Sequence, residues 1–190
     1  MSDVEADARG ASEEMRAAFA RAALPHLDAA YNLARWLVRD ADAAQDVVQD
    51  AMVRALTYFA GFRGENARAW LLQIVRTTAY NRAARQRGAA EVPLPEEDEP
   101  ALPDPGATPE AALAQREAAG TLEQALAALP PELRECLVLR ELEEMSYRDI
   151  ARVTGVPTGT VMSRLWRARQ ALLRHGQAAA SDRTTKEKTR

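Results

Sequence analysis

The arginines of this chain are grouped in a way that predicts a particular chemistry. Residues 145–175 contain six arginines and a single acid, Asp149, although the whole chain carries a formal net charge of −3. A guanidinium group donates paired hydrogen bonds to guanine edges and to phosphate oxygens, so a dense arginine cluster is typical of a nucleic-acid-binding surface. The cluster consists of Arg148, Arg152, Arg164, Arg167, Arg169 and Arg174.

A second basic segment lies earlier in the chain, and an acidic segment separates the two. Residues 63–87 contain six arginines against Glu65, whereas residues 91–110 contain seven acids and no base. The separation of basic and acidic segments along a chain indicates what the protein binds and does not indicate its fold. The pattern predicts two contacts with one polyanion.

Composition predicts an all-α protein with two small helical domains. Ala, Leu, Arg and Glu dominate and there are only 9 Gly, which favours helix. The six prolines of residues 91–110 predict a flexible acidic linker, which is either a solvated spacer or a segment that docks in a basic channel of a partner. We expect domains at 12–88 and 111–175, a linker at 89–110, and disorder at 1–11 and 176–190.

Two amphipathic helices are predicted in the first domain. Over residues 40–62 the apolar stripe consists of Val48, Met52, Ala55 and Phe59, with Asp42, Gln45, Asp46, Gln49 and Asp50 on the other side. After a GFRGEN loop, the next helix turns inward Leu71, Ile74, Val75 and Thr78, and turns outward Gln73, Arg76, Thr77, Tyr80 and Arg87. One exposed face is therefore acidic and the other basic.

The arginine cluster coincides with a predicted helix-turn-helix. Ser146 and Asp149 form a capping-box pattern, so a helix is expected from Tyr147 to Gly155, and Thr158 can cap a second helix. The apolar stripe of that helix is Val161, Leu165, Ala168 and Leu172, and the opposite side carries Gly159, Ser163, Trp166, Arg167 and Gln170. Since a helix fills the major groove of DNA, the polar side predicts a recognition surface.

The residues give little support to an enzyme. His26 and His175 are far apart in sequence, and Cys136 lies in an apolar helix where a core role is expected. We expect no catalytic set, no cofactor and no metal site. The single cysteine, the missing signal peptide and the lack of a membrane-spanning run favour a cytoplasmic protein without membrane insertion.

Two motif blocks in the right order resemble one known family. LPPELRECLVLRELEEMSYRDIARVTGVPTGTVMSRLWRARQAL resembles the −35-reading domain of extracytoplasmic-function (ECF) sigma factors of the sigma-70 family. DAAQDVVQDAMVRA and FRGENARAWLLQIVRTTAYNR resemble the other domain of that family. The resemblance spans roughly residues 24–174 and implies an alternative sigma factor that binds core RNA polymerase and directs promoter-specific initiation.

The resemblance also implies where the partners bind. The clamp helices of the largest polymerase subunit would contact Gln45, Asp46, Gln49, Asp50 and Arg54. The −10 element would be opened and held by Arg63, Asn66, Arg76, Thr77, Tyr80 and Asn81, with Trp70 expected mainly in the core. The −35 element would be contacted by Thr160, Ser163, Arg164, Trp166 and Arg167, with Arg148, Arg169 and Arg174 on phosphates.

Further partners follow from the same resemblance. The polymerase flap would also contact the protein, the linker would follow the RNA exit path while the domains separate, and an anti-sigma factor would cover both domains of the free protein. A stand-alone helix-turn-helix regulator and a sigma-mimicking adaptor that binds an anti-sigma factor remain as alternatives. The adaptor is expected to lack the recognition-helix arginines, which this chain has.

Overall fold

The protein is helical throughout the part of the chain that the structure describes. This computed structural model describes the backbone of residues 2–88, 120 and 122–188, and the side chains of residues 13–86, 120 and 122–177. Its elements are helices joined by short turns, which confirms the all-α prediction. None of the helices in these segments is long and apolar enough to cross a membrane. The expected linker at 89–110 lies outside the described residues.

Four helices form the N-terminal unit. They are α1 (Ser2–Ala23), α2 (Leu27–Val38), α3 (Ala41–Tyr58) and α4 (Ala67–Gly88), with a 3₁₀ turn at Leu24–His26 between the first two. Pro25 lies in that turn, as expected from the missing backbone donor of proline. The helix α1 begins at Ser2 and includes most of the residues 1–11 for which disorder was predicted. The alanine-rich composition of this segment favours helix.

The core of the N-terminal unit lies between α2, α3 and α4. Asp40 caps α3 by accepting a hydrogen bond from the backbone amide of Ala43. The fully buried residues of α3 are small, namely Ala44, Val47, Ala51 and Ala55. The predicted stripe is confirmed at Ala55 only, since Val48, Met52 and Phe59 pack at the edge of the core and are half-buried. Alanines at the centre allow α2 and α4 to approach α3 closely.

Aromatic rings close the end of α3 and the start of α4. The rings of Phe62 and Trp70 lie 4.7 Å apart, and Phe59 contacts Phe19, Phe62 and Trp70. Trp70 is half-buried, in agreement with its expected core role. Asn66 begins α4, since its side-chain oxygen accepts a hydrogen bond of 3.0 Å from the amide of Ala69.

The C-terminal unit begins with a short helix over residues 122–127 and continues with three helices. These are α5 (Pro131–Leu137, extended by a π turn at Val138–Leu142), α6 (Tyr147–Thr154) and α7 (Thr158–Lys188). The helix α5 starts at the Pro130–Pro131 pair, because a proline at the first helical position lacks only a donor that would be unpaired there. The helix α7 continues through residues 176–188, where a disordered tail was expected.

The helix-turn-helix prediction is confirmed, except for the cap of its second helix. The hydroxyl of Ser146 accepts from the amide of Asp149, and α6 ends at Gly155, which has a left-handed backbone with φ 70°. Val161, Leu165 and Ala168 are buried on α7. Thr158 is the first residue of α7 rather than its cap, because the carbonyl of Pro157 accepts from the amides of Thr160 and Val161.

Gly155 provides a test of the turn. Its positive φ is strained for any residue with a Cβ atom, although a Cβ there would meet no atom within 4 Å. Gly155→Ala should therefore lower the free energy of unfolding by about 1–2 kcal/mol through backbone strain alone. Gly159→Ala is the control: it lies in α7 and should stabilise by about 0.5–1 kcal/mol. Urea denaturation of both variants measures the difference, and equal effects would contradict the assignment.

The two units pack against each other. Their buried apolar residues form one cluster that contains Leu33 and Leu72 of the N-terminal unit together with Leu139 and Ile150 of the C-terminal unit. The guanidinium of Arg134 reaches across the boundary and donates to the backbone carbonyl of Trp36, 2.8 Å away. The surfaces on α4 and α7 therefore lie in one packed structure.

Candidate nucleic-acid interface

The exposed side of α7 carries polar, aromatic and basic groups. Trp166 is 64% exposed, and Ser163 and Arg167 are also exposed. The hydroxyl of Ser163 donates to the carbonyl of Thr160 at 2.9 Å, and Nε of Arg167 is 3.4 Å from the carbonyl of Ser163. These local bonds hold the side chains along the helix, with the indole ring projecting into solvent. Arg148 and Arg174 are exposed on the same unit.

Two arginines of the predicted recognition surface are already paired. Arg164 is half-buried, with Nη1 3.3 Å from a carboxylate oxygen of Glu135, so it does not lie on the exposed flank as predicted. Arg169 is exposed, but Nη2 is 2.7 Å from Oε1 of Glu141. The hydrogen bond to Glu141 raises the pKa of Arg169 above its usual value. In this conformation a phosphate would have to compete with Glu141 for Arg169.

The predicted −10 residues divide into two groups. Arg63, Thr77 and Asn81 are exposed, and the hydroxyl of Thr77 donates to the carbonyl of Gln73. The other three residues contact the C-terminal unit, namely Asn66, Arg76 and Tyr80. The expectation that Arg76 and Tyr80 face solvent was wrong, because sequence periodicity does not show that a second unit covers this face. Arg87 lies outside the described side chains.

A buried carboxylate organises these contacts. Glu135 is fully buried and accepts two hydrogen bonds from Arg76, at 2.7 and 3.1 Å, and one from the hydroxyl of Tyr80 at 3.0 Å. Burial raises the pKa of Tyr80, and the charge of Glu135 adds to this, so the phenol stays protonated. Burial lowers the pKa of Arg76, but the hydrogen bond and charge of Glu135 outweigh that effect and the net shift is upward. Arg76 also lies over the Tyr80 ring, 4.6 Å from its centre.

An open pocket of about 250 Å³ lies between the start of α4 and the C-terminal unit. Its lining includes Trp70 of α4 and Arg152 of the C-terminal unit. The remaining lining residues are Glu65, Asn66, Ala69 and Gln73. The pocket therefore includes Asn66, a predicted −10 residue, and is partly covered by the second unit.

The polar face of α3 is available to a partner. Gln45, Asp46, Gln49 and Asp50 are exposed, as predicted, and Arg54 is half-buried. Asp46 has one ion pair, to Nη1 of Arg82 at 3.0 Å. The same helix exposes Val53 by 64% and Leu56 by 41%, which the sequence analysis did not single out. Polar and apolar groups on one helix face are typical of protein–protein interfaces.

Comparisons with known proteins agree with this geometry. Residues 23–89 match the family described as Sigma-70 region 2, and residues 119–172 match Sigma-70, region 4. The RNA polymerase sigma-H factor of Pseudomonas aeruginosa is 41% identical over 143 residues, which cover 71% of this chain and 74% of that protein. The chain belongs to the sigma-70 family. It is an alternative sigma factor, and sigma factors are transcription initiation factors rather than enzymes.

Other relatives place this sigma factor in the ECF group. The ECF RNA polymerase sigma-E factor of Escherichia coli K12 is 35% identical over 135 residues, covering 67% of this chain and 70% of that protein. Two solved structures are similar. RpoE of Bartonella quintana, in complex with the anti-sigma factor NepR, has a TM-score of 0.63 and 27% identity, covering 81% of this chain and 93% of that one. CnrH, in complex with the cytosolic domain of CnrY, has a TM-score of 0.59 and 26% identity, covering 86% and 90%.

The chemistry of the remaining groups fits a sigma factor. Cys136 is fully buried, and burial, together with the charge of Glu135, raises its thiol pKa to about 11. The thiol is therefore protonated at neutral pH and is a poor nucleophile. Among the described residues no group of three or more His, Cys, Asp or Glu side chains is arranged to hold a metal ion.

Sequence reasoning missed the acids that contact the predicted −10 residues and Arg68. Glu135, Glu143 and the role of Asp149 as a partner of Asn66 were not predicted, and neither was Arg68, which pairs with Glu143. One signal was available for Glu135. It lies among the apolar residues of LRECLVL, and a buried carboxylate requires a partner. The identity of that partner depends on tertiary packing.

Proposed function

We propose that this sigma factor places α7 in the major groove of the −35 element. Ser163, Trp166 and Arg167 contact base edges, and Arg164 joins them once it leaves Glu135. Thr160 contacts a phosphate at the helix start, and Arg148, Arg169 and Arg174 neutralise flanking phosphates. The observation that carries the proposal is the exposed polar, aromatic and basic face on the second helix of a well-formed helix-turn-helix.

The −10 strand binds at the start and along the outer face of α4. Arg63, Thr77 and Asn81 are exposed there, while Asn66, Arg76 and Tyr80 become available when the C-terminal unit moves away. Opening of a promoter requires that unpaired bases be held, and a basic groove with an aromatic ring provides both phosphate contacts and stacking. The pocket beside Trp70 lies on the same face and is a candidate position for an unstacked base.

Core polymerase binds the exposed face of α3. The clamp helices contact Gln45, Asp46, Gln49, Asp50 and Arg54, and the neighbouring Val53 and Leu56 supply apolar area. The flap contacts the C-terminal unit. Domain roles follow from these positions, with polymerase and −10 binding within 12–88, −35 binding within 111–175, and the acidic linker at 89–110 between them.

Regulation by an anti-sigma factor fits the structural relatives. The solved RpoE and CnrH structures are complexes with NepR and with the cytosolic domain of CnrY. A protein partner of this type would hold the present sigma factor in the cytoplasm, where its polymerase acts, until a signal releases it.

Run-off transcription tests the proposed function. Genomic promoter fragments are transcribed by bacterial core polymerase with and without the protein, and a gel shift follows the protein alone. Defined transcripts are expected only when both proteins are present, and their upstream sequences should share a −35 and a −10 element.

Two other results would overturn the proposal in different ways. Specific duplexes shifted by the protein alone, without transcripts, would indicate a stand-alone regulator. If neither DNA binding nor transcription occurred, a sigma-mimicking adaptor would account for the helix-turn-helix. Heat-denatured protein is the matched negative control for both assays.

A further inference from the structure

Acids of the C-terminal unit cover the cations of the −10 face. Glu135 binds Arg76 and Tyr80, and a carboxylate oxygen of Glu143 contacts Arg68. The other oxygen of Glu143 accepts from the side-chain amide of Asn32 at 3.0 Å. The carboxylate of Asp149 accepts from the side-chain amide of Asn66 at 2.7 Å. The three acids lie at successive points along the C-terminal unit, one on α5, one after the π turn and one on α6.

The geometry resembles the way arginine binds phosphate. Both nitrogens that Arg76 presents to Glu135 are within hydrogen-bond distance of different carboxylate oxygens, which is a bidentate arrangement. A phosphate diester presents two oxygens of similar spacing and charge to a guanidinium group. A backbone phosphate could therefore take the place of the Glu135 carboxylate at Arg76.

The same carboxylate also restrains the −35 surface. Nη1 of Arg164, which is on the recognition helix, lies 3.3 Å from Oε1 of Glu135. Glu135 thus connects α4, the −10 helix, with α7, the −35 helix. Release of Glu135 from Arg76 would free the α4 surface, whereas Glu135 and Arg164 belong to the same unit and can stay paired until Arg164 binds DNA.

The energetics favour a contact that can open. Buried ion pairs lose much of their attraction to desolvation, and well-packed apolar residues in their place often stabilise a structure more. The side chains of Glu135 and Glu143 are 0% and 6% exposed. The two units share an apolar cluster as well as these ionic contacts, and it is the ionic contacts that can be exchanged for contacts with a polyanion.

We propose that the packed arrangement of the two units is autoinhibited, with Glu135, Glu143 and Asp149 acting as substitutes for promoter phosphates on the −10 face. Arg68, which carries no assigned role, is then a further strand-binding residue. One ion pair has the opposite polarity, between Arg152 and the exposed Glu65 at 3.9 Å, and its length and exposure make it weak. The proposal rests on the proposed function, since it assumes that the −10 face binds single-stranded DNA.

Single-strand binding by the full-length protein tests the proposal. The probe is a fluorescein-labelled oligothymidine of about fifteen nucleotides, in the range that single-strand-binding sites cover. Fluorescence anisotropy is measured for the wild type, Glu143→Gln and Glu135→Gln. The Glu143→Gln variant retains an acceptor for Asn32 but loses the charge that holds Arg68. Affinity for the oligothymidine should rise on the order of tenfold in each variant, as the open population increases.

A matched control separates opening from a simple change in net charge. Glu144→Gln alters the exposed neighbour of Glu143. It removes one negative charge outside the ion pairs between the units, so it should bind the oligothymidine like the wild type. Glu135 also binds Arg164 within its own unit, so circular dichroism must show that its variant is folded. If the Glu135→Gln variant is not folded, the Glu143→Gln variant alone tests the proposal.

The outcomes are distinct. A rise in affinity for Glu143→Gln but not for Glu144→Gln supports autoinhibition. Equal affinities in all variants overturn it, and so does an equal rise in the variants and their control. Run-off transcription by the wild-type protein is assayed in parallel. Transcripts would support the proposed function even if the binding data overturned autoinhibition. The reverse result, tighter binding without transcripts, would support the closed contact and overturn the sigma function.

Discussion

Arg134→Met is expected to lower the free energy of unfolding by about 3–5 kcal/mol. Arg134 is 4% exposed, and its guanidinium donates to backbone carbonyls rather than to a carboxylate. The acceptors are the carbonyls of Leu126, Ala127, Leu129 and Trp36, at 2.8 to 3.0 Å. Burial lowers the pKa of Arg134, and the charge of Arg39 lowers it further. Methionine would retain bulk but leave four carbonyls without this donor.

Urea denaturation followed by circular dichroism measures the effect. Arg148→Met is the control, because it removes an exposed arginine of the same unit and should change stability by less than about 0.5 kcal/mol. Arg134→Lys should fall between the two, since an ammonium group has fewer donors and cannot match the fork of a guanidinium. If Arg134→Met unfolded at the same urea concentration as the wild type, water would be hydrogen-bonding to the four carbonyls as well as the guanidinium does.

Arg167→Ala should weaken binding to a cognate −35 duplex by about 1–3 kcal/mol, or roughly five- to 150-fold. Arg167 is exposed on the outer face of α7, one residue after the projecting Trp166. If it reads a base, the loss should be large on the cognate duplex and small on a duplex substituted at that base pair. Fluorescence anisotropy of polymerase holoenzyme on both duplexes measures the difference.

Arg174→Ala serves as the comparison variant. Arg174 is exposed one turn beyond the buried part of α7 and is assigned to a phosphate. It should lose affinity equally on both duplexes and reduce the salt dependence of binding by about one phosphate contact. If Arg167→Ala behaved in the same way, Arg167 would be a phosphate contact and another residue would specify the sequence.

Because the two units are packed together, some substitutions would have two effects in the free protein. Arg76 and Tyr80 are bound to Glu135, and Arg164 shares that carboxylate, so their substitution alters both the contact between the units and any DNA contact. Ser163, Trp166 and Arg167 are exposed in the same state. Duplex binding is therefore tested more cleanly at Arg167 than at Arg164.

Local features of the fold could be read directly from the sequence. The helix-turn-helix was predicted from Ser146, Asp149 and Gly155. A side-chain cap and a left-handed backbone position depend only on residues that are close in sequence, so both can be predicted from the sequence. The buried stripe at Val161, Leu165 and Ala168 followed from the helical repeat in the same way. Family membership followed from the motif blocks, and the comparisons confirmed it.

Features that depend on residues far apart in sequence could not be predicted from the helical repeat. On α3 the predicted Ala55 is buried, but Val48 and Met52 lie at the edge of the core, because the smaller alanines suit the close approach of three helices better.

By itself, the sequence determined the helical class, the caps of α6, the exposed polar face of α7 and the membership in the sigma-70 family. Only the tertiary structure decided that Glu135 meets Arg76, Tyr80 and Arg164, and that Glu143 meets Arg68. The physical reason is that a pattern along one helix shows which side is polar but not what that side contacts. Glu135 and Arg76 are 59 positions apart, and their pairing depends on the packing of the two units.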